Sequence, residues 1–168
     1  MTKYSFSNPN WTPTAVADAA TMTANGAGFL QGGTATMYYK VSEVSISGQG
    51  SASTVQPMII ARDSVVAATS ITLGTNGKNA PLDVLSTALS TVPVPGFSAT
   101  TMPQRSATLS LLQLTLNGFG GIYRWVAYPG EEITIYGTAV SVGEISISQS
   151  NLVGAVGPIA DHIVYEPS

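Results

Sequence analysis

The chain carries one imidazole, His162, so any histidine chemistry must use it. A Ser-His-acid triad would draw its orienting acid from the neighbouring Asp161. Adjacent residues of a strand point to opposite faces, however, so this pair does not act as base and orienter together. No serine sits in a Gly-x-Ser-x-Gly elbow. The adjacent carboxylates Glu131-Glu132 follow a Pro-Gly turn, where charged side chains sit in solvent. Glycoside hydrolysis needs two carboxylates across a cleft, one of them in an apolar setting. Asp63, Asp83, Glu131 and Glu132 are the acids available for such a pair, and nothing in their spacing brings two together. No Asp-x-Asp-x-Asp calcium loop, phosphate loop or dinucleotide fingerprint is present. The absence of cysteine removes disulfides, thiol nucleophiles and Cys-ligated metals. The expectation is no catalytic residue, no metal site and no cofactor. Arg62-Asp63 reads as a local ion pair. Arg124, between Tyr123 and Trp125, is placed to stack on a ring or to reach a carboxylate across a sheet.

Such sparse chemistry directs attention to what the elements build. Charged residues make up 9% of 168 positions, against about 25% in ordinary soluble domains. Hydrophobic residues make up 44%, enough for a core, which separates this chain from disordered sequences. Serine and threonine, 19 of each, take the place of charge. A hydroxyl-rich surface offers little charge repulsion between copies, so association is expected. The net charge of -3 and the lack of clustered Lys and Arg argue against a phosphate backbone as partner. Residues 19–39 and 84–104 carry no charge but are broken by Gly, Pro, Ser and Thr, so neither is a membrane span. The first residues lack the pattern of a signal peptide.

The pattern predicts an all-β chain: an N-terminal arm over 1–34, then a β-sandwich domain over 35–168. Pro9, Pro13 and several glycines punctuate the arm, which carries the large apolar Tyr4, Phe6, Trp11 and Phe29. Strand signals begin at Ala35. In 35–47 the apolar parity switches, which predicts a bulge near Ser42-Glu43. Val55–Arg62 and Val65–Leu73 read as strands joined by a turn at Arg62-Asp63-Ser64, and Thr75-Asn76-Gly77-Lys78 as a tight turn. Residues 79–104 form a long proline-punctuated connection holding Leu82 and Phe97, with one helical turn capped at Asp83. Another parity switch marks Arg105–Asn117. Ile122–Tyr128, Ile133–Val142, Glu144–Ser148 and Ile159–Tyr165 complete about eight strands, in the manner of a β-sandwich or jelly roll. Glu43-Val44-Ser45-Ile46-Ser47 and Glu144-Ile145-Ser146-Ile147-Ser148 nearly repeat one another. Each should put its aliphatic residues inward and its serines outward, in similar places of two sheets or paired together.

Six segments in order carry a resemblance: Phe6-Ser7-Asn8-Pro9-Asn10-Trp11-Thr12-Pro13, Gln31-Gly32-Gly33, Ala61-Arg62-Asp63-Ser64, Pro103-Gln104-Arg105-Ser106-Ala107-Thr108, Phe119-Gly120-Gly121-Ile122-Tyr123-Arg124-Trp125 and Pro129-Gly130-Glu131-Glu132. Together they resemble small virion structural proteins of tailed bacteriophages, most closely capsid decoration (cement) proteins. The resemblance implies a non-enzymatic protein on the outer surface of the capsid, made in the host cytoplasm. It implies a partner in the major capsid protein, and a homo-oligomer with a trimer favoured. The acidic balance and the single Lys of segment 1–34 fit an outward position better than one facing the genome. Tyr4, Phe6, Trp11, Phe29, Leu82 and Phe97 are the expected subunit or capsid interface, with the arm as the bridging element. A coat, tail or fibre subunit is the nearest alternative. A carbohydrate-binding sandwich using Tyr123 and Trp125 is another.

Overall fold

The structure is a computed structural model that describes residues 2–13, 27–31, 37–65, 79–87, 89, 94–96, 104–136, 143–149 and 157–168. Eleven strands run through these: β1 (Tyr4–Trp11), β2 (Ala27–Gln31), β3 (Tyr39–Gly48), β4 (Val55–Val65), β5 (Ala80–Pro81), β6 (Val94–Gly96), β7 (Gln104–Asn117), β8 (Ile122–Val126), β9 (Ile133–Ile135), β10 (Glu144–Gln149) and β11 (Ile159–Pro167). They form two antiparallel sheets. Sheet I has the order β5-β1-β11-β3-β8, with β9 also on β3. Sheet II has the order β6-β2-β10-β4-β7. Without the short β5, β6 and β9, the eight principal strands have the strand order of a jelly roll. No helix of the described residues is long and apolar enough to cross a membrane.

The core lies between the sheets. Phe6, Tyr39, Val44, Ile46, Ile159, Ile163 and Tyr165 of sheet I meet Met58, Ile60, Ile145 and Ile147 of sheet II, all almost fully buried. Period-two alternation explains the inward set, and two bulges keep it in phase. On β3, Val164 pairs with Glu43 and Tyr165 with Val41, so Ser42 is the extra residue, where the parity switch predicts it. On β7, Ile60 pairs with Leu112 and Ala61 with Ser110, so Leu111 is the extra residue, again at the predicted switch. The turn Tyr128-Pro129-Gly130-Glu131 closes with Glu131 N–H donating to the Tyr128 carbonyl at 2.9 Å. Gly130 there sits at φ +90°, a left-handed conformation that glycine adopts without strain.

Three expectations are corrected. The described part of segment 1–34 is no arm: β1 pairs with β11 from Tyr4↔Tyr165 to Trp11↔Ile159, and β2 pairs with β10. Arg62-Asp63-Ser64 is no turn: β4 runs unbroken to Val65, and its irregularity takes the form of register shifts against β7. Leu82–Ser86 forms a turn without a helix. Residues 66–78, including the Thr75-Asn76-Gly77-Lys78 turn, lie outside the described residues, as do 137–142. The two echoing pentapeptides do not pair. They occupy interior strands of opposite sheets, β3 between β11 and β8, and β10 between β2 and β4.

Candidate functional site

The six expected interface residues fall in different places. Tyr4, Phe6 and Trp11 are 6%, 2% and 5% exposed and belong to the core, so their expected role as docking groups is withdrawn. Tyr4 stacks on Tyr165 with ring centroids 6.0 Å apart. Trp11 donates its indole N–H to Asp161 Oδ2 at 2.7 Å. Phe29 lies on β2, between Ser146 of β10 and Gly96 of β6 in the register. Phe97 lies outside the described residues. Leu82 is exposed, and it opens a turn that carries two further exposed aliphatic side chains.

That turn follows β5, which hydrogen-bonds β1 at the edge of sheet I. Leu82 N–H donates to the Lys3 carbonyl at 2.8 Å and Ser86 N–H to the Asp83 carbonyl at 3.0 Å. Asp83 Oδ1 accepts the Leu85 N–H at 2.9 Å, the local capping bond its sequence position suggests. The Thr2 and Ser86 hydroxyls meet at 2.7 Å, and the Tyr4 hydroxyl donates to the Thr87 carbonyl at 3.0 Å. A turn held at both ends therefore presents Leu82, Val84 and Leu85 to solvent, 57%, 94% and 90% exposed. In the sequence Val84 and Leu85 belong to the expected helical turn but not to the expected interface, although they share the Leu82 segment.

A second feature lies on the outer face of sheet I. Register places Ser7, His162, Ser45 and Arg124 in one row across β1, β11, β3 and β8. Ser7 Oγ and His162 Nδ1 are 2.7 Å apart. With Pro9, Ser47, Ile122 and Ala160 they line an open groove of about 310 Å³. Arg124 reaches the carboxylate of Glu43 with both Nε and Nη2, at 2.7 and 2.8 Å, which holds the Glu43 carboxyl below its usual range. This is one of the two uses that its sequence setting offered. Tyr123 and Trp125 pack toward the core and are half-buried, so they form no exposed ring platform. Asp161 faces the core, as alternation requires, and lies on the opposite side of the strand from His162. The Ser7–His162 pair comes from two strands 155 residues apart, which no local spacing announces.

Asp161 and Asp63 have buried side chains. Asp161 accepts from Asn8 Nδ2 at 2.9 and 3.1 Å and from Trp11, while burial pushes its pKa up to about 7 against these donors. Asp63 accepts from the Ser146 hydroxyl at 2.6 Å. Its cross-strand partner is Arg105, whose Nη1 donates to Ser148 Oγ at 3.4 Å. Burial, and then the nearby Glu144, raise the Asp63 pKa far above the carboxylate range, opposed by Ser146 and Arg105. The acid therefore stays protonated at neutral pH. Among the described residues no group of three or more His, Asp or Glu is placed to hold a metal ion. No family model, no curated protein and no solved structure matches this chain.

Proposed function

We propose that the chain is a non-enzymatic bacteriophage virion protein that decorates the outer surface of the capsid and stabilises it by bridging coat subunits. The observation that carries this reading is the braced turn at Leu82–Ser86. It holds three aliphatic side chains in water before any partner arrives, so docking costs little ordering entropy. Burying Val84 or Leu85 fully against a coat subunit contributes about 1.5–3 kcal/mol each. Repeated over a symmetric lattice, such contacts raise the free energy needed to rupture the shell. The bridging element is this turn, since the strand expected to be an arm is part of the sandwich. The jelly-roll order agrees with the reading, because viral capsid proteins use that architecture, although lectins and cupins share it. The carbohydrate alternative has no ring platform in Tyr123 and Trp125.

Electron microscopy and cosedimentation with expanded phage capsids test the reading. The wild-type chain should bind saturably. Substituting Val84→Asp together with Leu85→Asp should abolish attachment while leaving stability within about 0.5 kcal/mol, as expected of exposed positions. If the wild-type chain binds no capsid the decoration reading fails, and if the double variant binds normally the turn is not the contact.

A further inference from the structure

Sheets that end in open strands usually guard them, because free backbone N–H and C=O groups recruit other strands. Most of the edges in this fold are guarded. β5 is two residues long and contains Pro81. β6 is three residues long with Pro95 at its centre. β8 carries the outward Arg124, and β9 is three residues long. β7 is different. It runs fourteen residues, Gln104–Asn117, and is the outermost strand of sheet II among the described residues, with no proline or glycine. Its single charge, Arg105, is 3% exposed and directed at Ser148, so no charge is presented along the strand. Its register shifts lie between Gln104 and Leu112. From Leu112 to Asn117 it pairs regularly with Val55–Ile60.

The side chains beside this edge are also incompletely covered. Met58 and Ile60, one strand inward, are wholly buried. Leu114 and Leu116 are 8% and 5% exposed, Leu111 and Leu112 are half-buried, and Leu109 is 39% exposed. On the other face Gln113, Thr115 and Asn117 are exposed. Among the described residues, an apolar seam therefore runs beside a regular stretch of edge with no proline, glycine or exposed charge.

We propose that β7 pairs antiparallel with β7 of a second copy about a two-fold axis at Leu114 or Thr115, joining the two five-stranded sheets into one. The strand is self-complementary about either axis. At Thr115, Thr115 meets its own copy, Leu114 meets Leu116, and Gln113 meets Asn117. At Leu114, Leu112 meets Leu116 and Gln113 meets Thr115. Leucine faces leucine and polar faces polar in both, and no like charges oppose, which would destabilise a self-paired strand. The other edges, short or carrying proline or arginine, offer β7 no such match. A two-fold contact gives an isologous dimer, in place of the trimer that the family resemblance favours. The inference does not rest on the capsid reading.

The test uses the full chain in native mass spectrometry and sedimentation velocity, with circular dichroism as the control for folding. The wild type should be a dimer at micromolar concentration. Thr115→Lys and Thr115→Glu each place like charges at the axis or directly beside it and should weaken the dimer at least about tenfold, with an unchanged spectrum. Mixing the two variants at low salt should restore a heterodimer, a readout that misfolding would not produce. A wild-type monomer or trimer overturns the proposal, as does either variant dimerising as tightly as wild type, or a mixture that stays monomeric.

Discussion

Replacing Trp11 with Phe distinguishes a tryptophan that belongs to a buried polar network from one that only fills space. Asp161 is 2% exposed, and the groups that stabilise its charge are neutral donors: Asn8 Nδ2, the Asn8 backbone and Trp11 Nε1. Burial outweighs them and sets its pKa at about 7, against 3.8 as the ordinary value. The raised value fixes the sign. Stability is fully present below about pH 4, falls as the unfolded chain ionises and the folded one does not, and the loss is complete above about pH 7. The span corresponds to about 4 kcal/mol at 1.36 kcal/mol for each unit.

Phe at position 11 keeps a ring in the core at a cost of about 1 kcal/mol, independent of pH. It also removes a donor 2.7 Å from the carboxylate. That bond is worth about 1.5–3 kcal/mol when the acceptor is charged and about 1 kcal/mol when it is neutral. The expected loss is about 2 kcal/mol at pH 5 and about 2.5–4 kcal/mol at pH 8. Urea unfolding followed by circular dichroism at the two pH values reads the difference. An equal loss at both would refute the reasoning by reducing Trp11 to a packing residue. No loss at either would mean that β1 lies outside the cooperative fold.

Asp63→Asn should stabilise the protein by about 1–3 kcal/mol at pH 8 and have little effect at pH 4. The folded acid is held protonated, so its contribution is lost as pH rises above the unfolded value, and asparagine has no proton to lose; thermal melts at both pH values check this. Gly48→Ala should destabilise by about 1–3 kcal/mol. The new Cβ would lie 2.5 Å from the Asn117 carbonyl oxygen, which accepts the Gly121 N–H within the β7–β8 turn, and 2.6 Å from that of Gly118, which accepts the Gly50 N–H; the urea midpoint reads it. Deleting residues 1–13 should unfold the chain, since it removes Phe6, Trp11 and the strand between β5 and β11. A truncated protein with an intact spectrum would restore the arm.

The jelly roll was legible because its signals are local. Alternation marks most strands, and the two parity switches fall where β3 and β7 carry their bulges, at Ser42 and Leu111. The arm was misread for a physical reason that is visible in β1. Tyr4 and Phe6 alternate with Ser5 and Ser7 as a strand should, but the next inward position is Asn8, a polar residue that is buried because Asp161 faces it. Pro9 then falls where the register shifts between Asn8 and Trp11, a bulge where a missing N–H is tolerated. A polar residue and a proline read as the end of order when their partner lies 153 residues away. Asp63 was misread in the same way: a charged residue near a strand end suggests a turn until Ser146 and Arg105 supply its partners.

The two echoing pentapeptides show where local information stops. Val44, Ile46, Ile145 and Ile147 all enter the same core at 1% exposure or less, as their alternation dictates. The serines between them diverge. Ser45 and Ser47 of β3 line the open groove beside His162, whereas Ser146 and Ser148 of β10, on the face turned away from the core, are buried against Asp63 and Arg105. The leading glutamates diverge further. Glu43 finds the exposed Arg124 and is held ionised, while Glu144 is fully buried beside an aspartate that keeps its proton. Nearly the same five residues thus make a solvated ion-pair face on one sheet and a dry polar layer on the other. What differs is the neighbouring strand: β8 brings Arg124 to Ser45, and β4 brings Ala61 and then Asp63 alongside β10. In this jelly roll the interior strands take their neighbours from distant sequence, so the inward half of each strand can be read from its own residues and the surroundings of the outward half cannot.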